Sequence, residues 1–442
     1  MKKIGIIGAG AAGLAAAVHL AQSGVKPIVI EASPSPGGRA RSRTAALGET
    51  IDNGQHLMIG AYESFIKLLE ITGERDSYVA LPPFRMDFRR STNRYRLDTS
   101  PFSGRIGAAW AMLRFGALDI QSKLRLAAFV AQIISGRIDA ANLTAGDVLR
   151  KYGQTPLAIG TFWEPLIVAT MNSPIDRASG RLFMNIVRIA FFGRPEDGRL
   201  LLPSKSSGEI FAHAERFITS RGGEVYYTKR VSNFEKIDSG FRLICRDNMN
   251  FDCDGVISAV PPASLKPILP PGGDFGALAG FCEELEYSPI VSIYIWSRRR
   301  LDLPPMTALL DSPLQWIFAR DEFISGYSSN GDAHRYAITI SAADAIMPMK
   351  RNEIIEFTIH ELSSFFPDFS ENDLINFEII KEGLATPLFT PEMESRRPEN
   401  ATSMPGMFVA GDWTATGLPA TLESAARSGF AAAKKCLEFV NH

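Results

Sequence analysis

Cysteine and histidine are scarce in this chain of 442 residues, which has four cysteines and six histidines. No two cysteines have the Cys-x-x-Cys spacing, and the histidines show no spacing typical of metal ligands. Disulfide frameworks and structural zinc sites require spacings of that kind. We therefore expect no metal site, and we expect reduced, packed thiols in a cytoplasmic protein. The four thiols belong to Cys245, Cys253, Cys282 and Cys436.

Long apolar runs and an excess of charge of one sign are also lacking. No stretch approaches the run of about twenty apolar residues that spans a bilayer. The chain has 47 Lys and Arg against 48 Asp and Glu, which gives a formal net charge of −1. A nearly neutral chain does not favour a nucleic-acid partner held by phosphate neutralisation. The length predicts two or three globular domains.

The most informative segment lies near the N-terminus. The apolar residues 4–7 enter the motif Gly8-x-Gly10-x-x-Gly13, and an alanine-rich helical stretch and a second apolar run follow, ending at Glu31. This order of strand, glycine turn, helix, strand and acid is typical of a dinucleotide-binding unit. The glycines would allow a tight turn and the close approach of a pyrophosphate, which the helix N-terminus favours. Glu31 has the spacing of a carboxylate that accepts from ribose hydroxyls.

Two further segments contain glycine beside polar residues. In the first, Gly37 and Gly38 precede Arg39 and Arg41. Adaptable backbone next to guanidinium groups suits a second phosphate contact, and a solvated basic loop is the alternative. In the second, Gly54 lies among polar side chains within an apolar stretch. Such a glycine indicates that the backbone closely approaches a flat ligand.

Near the C-terminus, a strand pattern ends at Gly411 and Asp412, and a helix pattern begins near Thr421 and Leu422. A carboxylate at a strand end can hydrogen-bond a ribityl or phosphate-adjacent hydroxyl. The N-terminus of the helix can direct its positive end at a ring that becomes anionic when reduced. A capped surface helix is the alternative.

The segment from residue 85 to residue 200 is mostly helical in pattern. Thr144 and Asp147 have the spacing of a capping box, and Gly153 would end the helix that they begin. Further helices are predicted at residues 209–221 and 353–365. Strands are predicted at residues 224–227, 229–234, 241–245, 256–260, 291–296 and 336–341.

The stretch between residues 106 and 134 is both apolar and basic. Its apolar residues are interrupted by a polar break, and its cations are Arg105, Arg114, Lys123 and Arg125. This combination suits helices that lie in a membrane interface. Two ordinary buried helices that line a pocket are the alternative.

The glycine and acidic motifs together resemble those of the FAD-binding flavoproteins of the amine oxidase and phytoene desaturase superfamily. A narrower set resembles the hydroxysqualene dehydroxylases, squalene-associated desaturase-like enzymes of bacterial hopanoid synthesis, and it touches nearly the whole chain. A departure is the polar loop at residues 202–208, where a more apolar link is expected. The narrower motifs are Asp52-Asn-Gly-Gln-His56, Phe162-Trp-Glu-Pro-Leu166 with Asn172, Gln315-Trp-Ile-Phe318, Gly411-Asp-Trp-Thr and Pro419-Ala-Thr-Leu-Glu423.

The resemblance implies an α/β fold with FAD as the cofactor. A Rossmann-type FAD-binding domain would be assembled from the discontinuous residues 1–84, 201–265 and 383–442. An α+β substrate-binding domain, with helices able to face a membrane, would contain residues 85–200 and 266–382. The protein would then be cytoplasmic or peripheral on the cytoplasmic membrane.

The resemblance also implies roles for individual residues. Val231 would pair with the adenine through its backbone, and Gly54, Gln55 and His56 would lie beside the isoalloxazine. The full set of implied cofactor-binding residues is Gly8, Gly10, Ala12, Gly13, Glu31, Ala32, Gly38, Arg39, Gly54, Gln55, His56, Val231, Gly411, Asp412 and Leu422.

The implied reaction replaces the hydroxyl of hydroxysqualene with hydrogen, and reduced FAD donates the hydride. Loss of water from the allylic position leaves a delocalised cation that captures the hydride. The protein must hold a long apolar isoprenoid, exclude water and offer one proton, and an unidentified electron donor must reduce the flavin. His56 is the first candidate for the proton donor, with a structural histidine as the alternative. Glu164 and Asn172 are lesser candidates for handling the hydroxyl.

Aromatic residues are available for an apolar channel, although a plain core explains them equally well. They are Phe162, Trp163, Phe183, Phe191, Phe192, Trp316 and Phe318. Three other functions stay open: a desaturase or isomerase of carotenoids or other polyprenoids, a flavin amine oxidase, and a non-catalytic protein that passes prenyl intermediates between enzymes. No acid and aromatic pair is evident that would anchor an amine.

Overall fold

The computed structural model describes residues 1–81, 85–99, 104–269, 274–325 and 333–441, with side chains from residue 107 onward in the helix that begins at residue 104. Its helices are α1 (Ala11–Gln22), α2 (Glu63–Thr72), α3 (Gly104–Arg114), α4 (Ile120–Ile134), α5 (Ala145–Lys151), α6 (Pro156–Ala158), α7 (Glu164–Met171), α8 (Gly180–Phe192), α9 (Ser207–Ser220), α10 (Pro262–Leu265), α11 (Gly276–Glu284), α12 (Arg351–Phe365), α13 (Pro391–Ser395) and α14 (Leu422–Val440).

The described strands are β1 (Lys3–Ile7), β2 (Lys26–Ile30), β3 (Ser42–Thr44), β4 (Thr50–Asp52), β5 (Met58–Ile59), β6 (Tyr78–Ala80), β7 (Arg85–Arg90), β8 (Asn93–Asp98), β9 (Leu200–Pro203), β10 (Glu224–Tyr226), β11 (Val231–Ile237), β12 (Gly240–Cys245), β13 (Asn250–Cys253), β14 (Gly255–Ser258), β15 (Tyr287–Ser297), β16 (Met306–Leu309), β17 (Trp316–Ala319), β18 (His334–Ser341), β19 (Leu374–Pro387) and β20 (Met407–Val409).

A five-stranded sheet has the order β10-β2-β1-β14-β20, and all of its strand pairs are parallel. Its central strands are short apolar runs, as expected for strands that are covered on both faces. The alanine-rich α1 packs against α14 on this sheet. The strands come from distant parts of the chain, so the sheet is assembled from discontinuous segments.

A seven-stranded sheet has the order β19-β15-β18-β17-β16-β7-β8. One face of it packs against α12, where Ile293, Ile317 and Ile338 share a buried cluster with Leu362 and Phe365. The residues that alternate with these isoleucines point to the opposite face, because successive side chains of a strand point to opposite sides. That opposite face lies towards the cavity described below.

The helical interpretation of residues 85–200 is wrong at its beginning. β7 and β8 form an antiparallel hairpin on the edge of the seven-stranded sheet. Met86 and Phe88 are buried, and polar residues alternate with them. This period of two is a strand pattern that the surrounding helical patterns obscured. The later part of the segment is helical, and the capping box of Thr144 and Asp147 is present.

The apolar and basic stretch forms α3 and α4, and the side chains of Arg105 and Ile106 lie outside the described residues. α4 buries Phe129 against Trp163 at a ring distance of 5.5 Å. Its opposite face exposes Ile120 and Leu124, which are 79% and 67% exposed. No helix in the described ranges is long and apolar enough to cross a membrane.

All four cysteines are buried and unpaired. Burial raises the pKa of the Cys253 and Cys436 thiols to about 12 and that of Cys282 to about 11. Thiols with such high pKa values stay protonated at neutral pH and react slowly. Their contribution in this fold is packing.

Candidate functional site

A cavity of about 760 Å³ lies between the two large sheets. One end is lined from the carboxyl ends of parallel strands, including Gly8 after β1 and Glu31 after β2. The other end is lined by the seven-stranded sheet, including Met306, Trp316 and Thr339. Ligands of open parallel sheets bind beyond the carboxyl ends of the strands, and cavities of about 300–1,000 Å³ are typical of ligand sites.

The turn between β1 and α1 depends on its glycines. Gly8 has a φ of 103°, and its N–H donates to the Ile30 carbonyl at 2.8 Å. A Cβ on Gly13 would lie 2.0 Å from the Gly8 carbonyl oxygen, so α1 can pack this closely only without that side chain. Gly10 begins the helix with no side-chain cap. The first N–H groups of α1 therefore face the cavity ready for an anion, which fits a pyrophosphate.

Glu31 is held at the end of β2 by two backbone donors. Its carboxylate accepts from the N–H of Ala9 and from the N–H of Ser33, both at 2.7 Å. The side chain is buried but lines the cavity. Each carboxylate oxygen can accept a second hydrogen bond, so the position fits recognition of ribose hydroxyls.

Arg39 lies at the cavity and already has partners. Its guanidinium donates to Asp412 at 2.7 Å and to the Ala385 carbonyl at 2.9 Å. Arg39 thereby joins the glycine loop to the C-terminal segment and to β19. Arg41 also lines the cavity, and its guanidinium donates a long 3.4 Å hydrogen bond to the Ser33 hydroxyl. Arg41, which was not among the implied cofactor residues, is therefore the better placed cation for a phosphate.

The C-terminal segment presents a second helix N-terminus to the cavity. Thr421 caps α14 by accepting from the Ser424 N–H at 3.2 Å, and Leu422 lines the cavity. Arg397 donates to the Asp412 carbonyl at 2.8 Å and fixes the turn before this helix. Burial lowers the pKa of Arg397 to about 10, so it stays cationic at neutral pH.

The structure brings the sequence-predicted residues together with one exception. Gly13 does not line the cavity, because it packs against the Gly8 carbonyl behind the turn. The predicted residues that line the cavity are Gly8, Gly10, Ala12, Glu31, Ala32, Gly38, Arg39, Gly54, Gln55, His56, Val231, Gly411, Asp412 and Leu422. Arg41, which the glycine-arginine loop offered for a phosphate contact, also lines the cavity. The basic residues that prediction missed at this cavity are Lys229, Arg230 and Arg246.

His56 lies in a loop that begins after β4 and that the seven-stranded sheet supports. The hydroxyl of Tyr294 donates to the Asp52 carbonyl at 2.8 Å, which anchors the start of the loop. His56 Nε2 is buried and has no hydrogen-bond partner among the described residues. Burial lowers the pKa of His56, and the neighbouring Asp52 opposes that shift. The alternative was a structural histidine that is hydrogen-bonded to the backbone. Nε2 makes no such hydrogen bond within the described residues.

The polar loop at residues 202–208, a departure from the family pattern, holds Asp52. The Ser207 N–H and hydroxyl donate to its carboxylate at 3.0 and 3.1 Å, and Ser42 donates at 2.5 Å. Burial raises the pKa of Asp52 despite these donors. The polar residues of this segment are thus explained, because the buried carboxyl group of Asp52 needs hydrogen-bond donors.

The lesser candidates for the hydroxyl do not fit the geometry. Glu164 is exposed and does not line the cavity. Asn172 lines it, but its amide donates to the Ser288 carbonyl and to Thr386, and its oxygen accepts from Ala342. Asn172 therefore connects segments of the fold.

The aromatic residues proposed for a channel divide into two groups. Trp316 and Phe318 line the cavity. Phe162, Trp163 and Phe183 instead form a buried aromatic cluster, with ring distances of 4.8 Å and 5.5 Å to Trp163. The cluster supports α7, which presents Leu166, Ala169 and Thr170 to the cavity. Phe162 and Trp163 lie in a π-helical turn at residues 159–163, directly before α7. Such turns are frequent at functional sites.

The model of the family described as flavin containing amine oxidoreductase matches residues 11–437. The chain belongs to this family. This flavoprotein is an FAD-dependent oxidoreductase, and the predicted α/β fold class and the predicted cofactor are confirmed.

Relatives that match nearly the whole chain include a hydroxysqualene dehydroxylase and a phytoene desaturase. A hydroxysqualene dehydroxylase of Sinorhizobium fredii is 27% identical over 456 residues, which cover 100% of this chain and 99% of the relative. A 15-cis-phytoene desaturase of Glycine max is 24% identical over 96% of this chain and 77% of the relative. Among solved structures, a putrescine oxidase with three substitutions has a TM-score of 0.77 at 14% identity over 99% of both chains, which shows a common fold.

Proposed function

We propose that this flavoprotein reduces hydroxysqualene to squalene. The observation that carries the proposal is a single cavity that joins a dinucleotide-type end to an apolar chamber. The full-length similarity to hydroxysqualene dehydroxylase supports the choice of substrate. FAD, when bound and reduced, supplies the hydride.

The cofactor residues act by binding and orientation. We infer that the N–H groups at the start of α1 and the guanidinium of Arg41 hold the pyrophosphate, while Glu31 accepts from the ribose. Asp412 and Leu422 also line the cavity, and we infer that they would contact the flavin side of the cofactor. These roles follow from the donors and acceptors that each group offers to the cavity.

The chamber suits a long hydrocarbon. Its lining includes Met86, Leu166, Ile290, Met306 and Phe318. Burial of apolar surface provides about 25 cal/mol per Å², so a polyprenoid gains affinity along its length. The same apolar walls exclude water from an allylic cation that water would otherwise capture.

The departing hydroxyl needs one proton, and we propose that His56 supplies it. His56 lines the cavity, its buried Nε2 has no hydrogen-bond partner among the described residues, and Asp52 favours the protonated imidazole. Burial favours the neutral form more strongly, so the reactive fraction grows as pH falls. The rate of the proposed reaction should therefore depend on pH, which can be measured.

We also propose that the outward face of α4 contacts a membrane from which the apolar substrate is taken. Ile120, Leu124 and Ile134 are exposed on this face, and Arg125 is exposed among them. Exposed apolar side chains with flanking cations suit the boundary of an anionic bilayer. The buried face of α4 packs on Trp163, next to the helix that lines the cavity.

The deciding experiment incubates pre-reduced holoenzyme anaerobically with hydroxysqualene and measures squalene. Formation of squalene supports the proposal. Oxidised holoenzyme is tested in parallel with phytoene, because a phytoene desaturase is among the relatives. Desaturation of phytoene without squalene formation would replace the proposed reaction with that of a desaturase, and peroxide release from amines would indicate an amine oxidase.

A further inference from the structure

The cavity-facing side of the seven-stranded sheet carries hydroxyl groups within an apolar surface. Ser292 on β15 is directly paired with Thr339 on β18, and Thr339 is directly paired with Trp316 on β17. Directly paired residues of antiparallel strands point to the same face of a sheet. Thr339 and Trp316 both line the cavity, so this row of the sheet faces it.

The hydroxyls of Ser292 and Thr339 are both buried. Ser292 Oγ and Thr339 Oγ1 are shielded from solvent and find no hydrogen-bond partner within the described residues. Ser292 is 1% exposed. Buried polar groups normally have partners, and leaving them without one is unfavourable. On a row of the sheet that faces the cavity, such hydroxyls are available to hydrogen-bond a bound ligand.

The loop that contains His56 passes over Ser292. A Cβ on Gly54 would lie 3.1 Å from Ser292 Oγ, which places the serine directly under the loop. His56 Nε2, also buried and unpartnered, follows two residues later. Ser292 Oγ thus lies where the loop meets the sheet, and His56, Thr339 and the apolar residues Met306 and Phe318 line the same cavity.

We propose that Thr339 and Ser292 form the subsite that recognises the hydroxyl of a long polyprenoid alcohol and discriminates against the hydrocarbon that lacks it. The inference rests on the proposed function and deepens it. A hydroxyl group offers one donor and two acceptor positions, so it can bond both side chains and still face His56. An apolar chain in the same place would leave all three polar atoms buried without partners.

This arrangement gives selectivity that an apolar pocket lacks. A site that hydrogen-bonds a substrate hydroxyl strongly rejects the analogue without it, because its polar groups are then left unpaired. Affinity for the hydrocarbon product is correspondingly low, which favours release of the product after the hydroxyl is lost.

The test measures ligand binding to oxidised holoenzyme through perturbation of the flavin absorbance. Hydroxysqualene and squalene are titrated separately into wild type, Thr339→Val, Thr339→Ser and Ser292→Ala. We expect Thr339→Val and Ser292→Ala each to weaken binding of the alcohol by about tenfold, the effect of one lost hydrogen bond. Both variants should bind squalene at least as tightly as wild type does, because fewer polar groups are then left unpaired. Thr339→Ser keeps the hydroxyl and should bind the alcohol as wild type does.

Thr307→Val is the matched control. Thr307 Oγ1 is also buried without a partner among the described residues, but Thr307 is paired with Ile317 and so shares the face that packs on α12. This variant should leave both binding constants unchanged. The proposal is overturned if Thr339→Val and Ser292→Ala keep wild-type affinity for the alcohol, or lose affinity for both ligands equally. Weaker FAD binding with unchanged alcohol binding would assign the hydroxyls to the cofactor and also overturn it.

The failure of this inference differs from the failure of the proposed function. If the wild type prefers the alcohol to squalene but forms no squalene when reduced, the proposed reaction is wrong and the recognition subsite stands. If squalene forms and the variants show no selective loss, the reaction stands and the subsite is wrong. Circular dichroism of each variant verifies that it is folded before the comparison.

Discussion

Gly10 and Gly13 are three residues apart and have opposite steric surroundings. A Cβ on Gly13 would lie 2.0 Å from a backbone oxygen, whereas a Cβ on Gly10 would meet nothing within 4 Å. We expect Gly13→Ala to lower the free energy of unfolding of the apoprotein by about 3 kcal/mol through overpacking. Gly10→Ala should change that free energy by less than about 1 kcal/mol but weaken FAD binding at least tenfold, because its methyl group occupies the phosphate path.

Chemical denaturation of the apoproteins and FAD titration separate the two effects. Equal loss of stability in both variants would contradict the packing described for α1. Unchanged FAD affinity in Gly10→Ala would contradict the placement of the pyrophosphate at the helix N-terminus.

His56 makes stability and activity depend on pH. Burial lowers its pKa below the ordinary value of about 6.5, so the unfolded chain binds the proton more readily than the folded one. The contribution of neutral His56 to stability is therefore present above about pH 6.5 and is lost as pH falls towards the folded pKa. We expect wild-type stability relative to His56→Gln to decline in that range, as measured by denaturation at successive pH values.

The activity of the wild type should change with pH in the opposite direction. If protonated His56 is the acid, the rate of squalene formation rises as pH falls through the same range, and His56→Gln is slow and nearly independent of pH. A variant that keeps both the rate and the profile of the wild type would remove His56 from the role of proton donor.

The sequence alone could locate residues whose signal is local. Gly8, Gly10, Glu31 and Asp412 each stand in a strand or turn context that their neighbours define, and the structure brings them to one cavity. The lack of hydrogen-bond partners for the Ser292 and Thr339 hydroxyls among the described residues could not be predicted in this way. It depends on the pairing of two strands that are far apart in the chain.

Elements with one clear periodicity were predicted best. The helix begun by Thr144 has the expected capping box, and Gly153 follows its end with a φ of 78°. The β7 and β8 hairpin was missed because its strands are short and rich in arginine. Charged residues on a sheet edge weaken the apolar alternation from which strands are recognised.

The amphipathic character of α4 gives a prediction at the scale of one element. Replacing Ile120 and Leu124 together by Asp should lower co-sedimentation with phosphatidylglycerol vesicles several-fold, because exposed apolar surface and charge attraction both decrease. Activity towards substrate in detergent should change little. Leu384→Asp on β19 is the matched control, since Leu384 is 54% exposed on another element. An equal loss of co-sedimentation in this control would contradict membrane binding through α4.

At the scale of the whole molecule, the cavity exists because two sheets meet. The parallel sheet supplies the strand ends and the uncapped start of α1, and the seven-stranded sheet supplies the apolar chamber. The division into a cofactor domain and a substrate domain stays a prediction. β19 continues across the predicted boundary between residues 382 and 383, so that strand connects both parts.

The central claim is that one cavity transfers hydride from flavin to a hydroxylated polyprenoid. The most direct measurement mixes fully reduced holoenzyme with excess hydroxysqualene without oxygen and follows the visible absorbance of oxidised flavin together with the product. Return of that absorbance with one squalene formed for each flavin oxidised is the predicted result. Flavin that stays reduced while hydroxysqualene remains unchanged would contradict the account.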